Sequence, residues 1–199
     1  MRGQEFSNVM KQNNPRSIGP ALGALLKNDR LNELGPGDAV TAMRPTLTAL
    51  TPEIVAVPHA LVNGDMARAC LAGLWLRYDF LDESHRISQD LENASGSYWH
   101  ALVHRREPDF SNAKYWFRRV GRHPICVSLG AAARELAGQA PAPGPARFLL
   151  EQSEWDPLRF VDLCELALDD APPIHTLCMK IQQREWQLLF DYCYREAVG

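Results

Sequence analysis

Between Met66 and Leu81 the sequence MARACLAGLWLRYDFL carries apolar side chains at every angle of a 3.6-residue period. A helix with so little polar surface has to be enclosed by other elements. Arg68, Arg77 and Asp79 interrupt the run, which rules out an ordinary membrane span. The chain is therefore expected to wrap further helices around a mostly buried central one spanning about residues 64–81.

The flanking sequence supplies those helices. Asn63 or Asp65 caps the central one, and Asp82 or Ser84 caps a shorter one that pairs Ile87 with Leu91. Further helices are predicted from Ser97 to about Arg106, from Asp109 or Ser111 to Gly121, and from Pro124 to Gly138. Asp156-Pro157 opens another, and the segment after Pro172-Pro173 repeats apolar residues at helical spacing through Tyr192. Residues 1–19 are polar and expected to be loose, and APAPGPA (residues 140–146) reads as a connector. Residues 38–62, with three prolines, fit either an extended arm or a short helix with Pro52 at its first position. Neither βαβ alternation nor an internal repeat is present. The expected fold is all-α, a single compact bundle of about 6–8 helices over residues 20–199.

Composition narrows the function classes. A net charge of −3 argues against bulk binding to nucleic acid or an anionic membrane. The five cysteines form no C-x-x-C pair and sit in apolar helical contexts, as expected of buried thiols in the reducing cytoplasm. The first nineteen residues hold no continuous apolar run of the kind a secretory signal needs. Phosphate-loop, dinucleotide-binding, nucleophile-elbow and H-E-x-x-H motifs are all absent.

Reactive groups concentrate in one stretch, YWHALVHRREPDFSNAKYWFRRVGRHP, residues 98–124. His100 and His104 stand one helical turn apart, at the edge of a stripe formed by Trp99, Leu102 and Val103, and so point the same way. Such a pair suits a metal but needs a further ligand, for which His85, Glu107, Asp79 and His123 are candidates. Arg68, Ala72, Trp75, Asp79 and Asp82 fall on one stripe of a continuous helix, and His85 follows close behind. A histidine beside carboxylates suits acid–base work or metal ligation. Equally, Asp82 and Glu83 suit the positive end of a helix, and Asp79 an ion pair with arginine. Arg105, Arg106, Lys114, Tyr115, Arg118 and His123 form a locally basic group able to clamp a small anion through guanidinium forks. Ala113, Trp116, Phe117 and Val120 read as a core stripe.

The segments DESHxxSQ and YWHxxxHRREPDxxNAKYWFRRVGxHP, together with the central helix, resemble a family of uncharacterised proteins across residues 66–124. That resemblance implies no activity, cofactor or site residue. Three readings follow from the side chains themselves. One is a small-molecule enzyme of hydrolase or lyase type, in which His85, His100 and His104 with Asp79 or Glu107 act as acid–base groups or hold a divalent transition metal while the arginines bind an anionic substrate. Another is a non-catalytic module for an anionic ligand. The third is a structural or partner-binding helical protein.

Overall fold

In the computed structural model, residues 18–27, 30–139, 144–168 and 173–199 are described. They form α1 (Pro20–Leu26), α2 (Arg44–Thr48), α3 (Pro52–Ala56), α4 (Gly64–Arg77), α5 (Leu81–Gln89), α6 (Ala94–Arg106), α7 (Phe110–Val120), α8 (Ile125–Gly138), α9 (Phe148–Glu151), α10 (Pro157–Leu168) and α11 (Ile174–Val198). No strand occurs among the described residues. The protein is all-α. Residues 1–17 and 140–143, which include most of the segment expected to be loose and half of the Pro/Gly connector, lie outside the described residues. The rest of that connector, Gly144–Ala146, is a 3-10 turn.

Local chemistry explains the helix boundaries. The Asn63 side chain accepts a hydrogen bond from the Met66 N–H to start α4, Asn93 accepts from Gly96 to start α6, and Asp109 accepts from Asn112 to start α7. Gly121, at φ 65°, ends α7. Asp156 accepts from the amides of Leu158 and Arg159, opening α10 with Pro157 first. Within residues 38–62 the short helix after Thr51 forms, with the Thr51 hydroxyl accepting from Ile54.

The enclosed central helix is present, but it ends sooner than its apolar pattern suggests. Regular helix stops at Arg77, and Asp79 adopts a left-handed backbone with φ 61°. The predicted stripe from Arg68 to Asp82 is thereby cut after Trp75, and α5 starts in a new direction. Neither Asp82 nor Ser84 caps α5. Both acids stand in its first turn, where the helix dipole favours them, while the Ser84 hydroxyl donates to the Ala72 carbonyl and ties α5 to α4.

A second enclosed helix emerges as well. In α6, begun by Asn93 with Ser95, Gly96 and Ser97 already inside it, every residue from Ser95 to Arg106 is buried. Its neighbours on either side of the chain, α5 and α7, both pack against it. Two apolar clusters fill the interior. One gathers α1, α4, α6, α7 and the second half of α11 around Trp99, and the other gathers α8, α9, α10 and the first half of α11 around Phe160. Leu188 of α11 packs against both.

Candidate metal centre

The break at Asp79 directs α5 back across α6, and this return brings His85 to the H-x-x-x-H pair. His100 and His104 stack at 4.7 Å between ring centroids, and His85 meets both edge-on at 4.5 and 5.0 Å. One nitrogen from each of the three rings lies within 4.8 Å of the others. On its other face His100 stacks on the Trp116 indole at 4.1 Å. The predicted core residue Trp116 thus forms a wall of the cluster.

Burial defines the chemistry of each ring. His100 and His104 are not edge residues, being only 3% and 6% exposed, whereas His85 is half-buried. The cluster is therefore approached from the α5 side. His100 Nδ1 is enclosed and has no hydrogen-bond partner. Burial, followed by the neighbouring His104 and His85, pushes the His100 pKa down to about 3. The ring stays neutral at physiological pH, with a lone pair free for a Lewis acid.

Around His104 stand the groups of the α6–α7 turn. Glu107 Oε2 lies 3.2 Å and Asp109 Oδ2 3.9 Å from His104 Nδ1. With the proton on Nδ1, facing Glu107, Nε2 keeps its lone pair. The Asn112 amide nitrogen is 3.2 Å from that Nε2 and competes for it. The backbone and side-chain hydrogen bonds of Asn112 and Ser111 hold the Asp109 carboxyl below its usual range.

Other candidates turn away from this cluster. Asp79 is buried and engaged by Arg30, by Arg106 Nη2 at 2.6 Å and by Asn32 Nδ2 at 2.7 Å, so the arginine pairing prevails over a role beside His85. Gly37 comes so near that a Cβ there would lie 3.1 Å from Asp79 Cγ, at a φ of 67° that already favours glycine. Arg106 also donates to the Gly35 and Pro36 carbonyls. Burial lowers the Arg106 pKa, and the Asp79 hydrogen bond and charge oppose this.

Arg105, 1% exposed, donates to Glu185 Oε2 at 2.6 Å, and the same carboxylate accepts from the Tyr98 hydroxyl at 2.8 Å. Burial works against the Arg105 charge, but Glu185 outweighs it and raises the pKa. The basic group expected from sequence is thus divided. Arg105 and Arg106 are interior, Lys114 pairs with Asp162 of α10, and Tyr115 and Arg118 are exposed.

His123 is 3% exposed, its rings contacts being Tyr98 and Tyr192. Its Nδ1 accepts from the Ile125 N–H, which leaves the proton on Nε2, 3.1 Å from Ser95 Oγ. It stands in the wall of a cavity of about 460 Å³ between α8 and the loop before α10, apart from the three-histidine cluster.

Sequence reasoning omitted Asn112 and Trp116 from the site. Their own i,i+4 spacing matches that of His100 and His104 on the neighbouring helix, a signal that would have paired the two faces. Arg30, Asn32 and Glu185 carry no comparable local signal, because they arrive from distant segments. The chain matches no family model, no curated protein and no solved structure.

Proposed function

We propose that the protein is a metal-assisted enzyme of hydrolase or lyase type, in which His85, His100 and His104 hold a divalent transition metal. The observation that carries this reading is the convergence of three imidazoles, one of them fully enclosed with an unpartnered ring nitrogen. A tetrahedral ion with metal–nitrogen bonds of about 2.0–2.1 Å needs ligand nitrogens about 3.4 Å apart. The three nitrogens lie within 4.8 Å of one another, so binding an ion would draw them closer and turn His100 and His104 out of their stack.

Three neutral nitrogen ligands leave a fourth position open, the pattern of a catalytic rather than a structural site. There the metal would lower the pKa of a bound water and polarise a substrate carbonyl or phosphoryl oxygen. Glu107 Oε2, 3.2 Å from His104 Nδ1, stands where a carboxylate behind a ligating imidazole would orient the ring. Being exposed, Glu107 is also the nearest group able to exchange a proton with water. Trp116 fixes His100 by stacking and keeps water from its inner face.

Four of the five free thiols are buried, in keeping with a cytoplasmic setting. No helix among the described residues is long and apolar enough to cross a membrane.

Elemental analysis of untagged protein purified without chelator tests the reading. About one zinc-like ion per chain is expected, lost in His104→Ala and weakened by tenfold or more in Glu107→Ala. Added cobalt(II) should develop the intense visible bands of a tetrahedral nitrogen site. Metal-free protein that gives no cobalt spectrum would sink the proposal.

A further inference from the structure

The cavity beside His123 is a cleft open to solvent, and its chemistry differs from that of the three histidines. It measures about 460 Å³ and lies between α8 and the loop that leads into α10. Small molecules bind in clefts of roughly 300–1,000 Å³ whose walls are largely apolar with a few placed polar groups. Here Val127, Gly130 and Ala131 of α8 supply apolar surface together with Trp155 and Pro157. Val127 is 84% exposed, the most of any large apolar side chain among the described residues.

Two arginines cross from the α8 side to the loop. Arg122 donates to both carboxylate oxygens of Glu154, at 2.7 and 2.9 Å, and Arg134 donates to the Gln152 carbonyl. Glu154 is the one carboxylate lining the cleft, and Arg122 already matches it. Among the described residues no carboxylate pairs with Arg134. The lining therefore carries one uncompensated positive charge, on an exposed guanidinium whose remaining N–H groups a guest can reach.

The charge selects the guest's polar end. One guanidinium fork matches the paired oxygens of a carboxylate. A phosphate dianion calls for a second cation, and Arg122 is committed to Glu154. We infer that the cleft binds a small organic monocarboxylate, with its charged end on Arg134 and its apolar body against Val127, Ala131 and Trp155.

Benzoate, 2-naphthoate and octanoate are suitable probes, each compared with its neutral amide in ligand-observed NMR titrations of the full chain. At least one carboxylate should saturate with a Kd below about 1 mM, and its amide should bind about tenfold more weakly. Arg134→Gln, at an exposed position, should weaken that carboxylate by about tenfold and leave the amide unchanged. A Cβ at residue 130 would meet Trp155 at an ordinary 3.5 Å, so the longer side chain of Gly130→Leu should fill the cleft and abolish binding of both. Cys126 supplies a second readout, being the one free thiol that is not fully buried and lying in the wall. Its alkylation by iodoacetamide should slow as the carboxylate saturates. His104→Ala should bind the probes as the parent does, so this site and the histidine centre can fail separately. No saturable binding of any of the three carboxylates up to about 10 mM, amides that bind as tightly, or undiminished binding by Arg134→Gln would overturn the inference even if Gly130→Leu fails to fold.

Discussion

Asp79 shows how much can depend on one side chain. Its carboxylate gathers Arg30, Arg106 and Asn32 in the interior, while its left-handed backbone turns the chain from α4 into α5. Asp79→Ala would strip two arginines of their partner and place a less tolerant residue at φ 61°. A loss of about 3–5 kcal/mol is expected in urea unfolding, together with weaker metal binding, because the turn carries His85 toward its partners. His123 gives a pH signature. Burial lowers its pKa to about 4, so the folded protein refuses a proton that the unfolded chain accepts near 6.5. Its stabilising contribution is complete above about 6.5 and disappears as pH falls toward 4, at most about 3 kcal/mol. Denaturation of His123→Gln across that window should show a shallower decline than the parent.

Among the elements, α6 is the frame of both polar centres. It presents His100 and His104 on one side and Arg105 and Arg106 on the other, and its position against α4 is set by Trp99 lying over Gly73. A Cβ at residue 73 would sit 2.7 Å from the Trp99 ring, and the Gly73 carbonyl accepts the Trp186 indole N–H at 2.8 Å. Gly73→Ala, normally favourable within a helix, should instead destabilise by about 1–3 kcal/mol as Trp99 is displaced. Because α6 would shift as a body, cobalt affinity should fall along with stability. If the variant were as stable as the parent, α6 would not be seated by this contact.

For the molecule as a whole, α11 is the long-range connector. Its second half completes the cluster around Trp99, its first half completes the cluster around Phe160, and Glu185 between them anchors Arg105 and Tyr98. Neither cluster closes without it. Unfolding in urea should therefore be one cooperative transition, with tryptophan fluorescence and helical circular dichroism superimposing. A Trp155→Phe variant, reporting only from Trp75, Trp99, Trp116 and Trp186, should give the same midpoint as circular dichroism. Separate midpoints would mean that the two clusters melt independently.

The sequence by itself determined the all-α class, the enclosed central helix, the cap at Asp156 and the stop at Gly121, and it narrowed two further caps to Asn63 or Asp65 and to Asp109 or Ser111, of which Asn63 and Asp109 form. These depend on side chains meeting backbone groups a few residues away and on a periodicity that repeats locally. His100 and His104 share a face for the same reason. The tertiary structure alone decided that His85 joins them, that Trp116 walls the cluster, and that Arg105 and Arg106 face inward to Glu185 and Asp79. Helical spacing states which way a side chain points around its own axis. It does not state what another helix brings there, which follows from the turn at Asp79 and from how α5, α7 and α11 bury their apolar faces against α6 and α4.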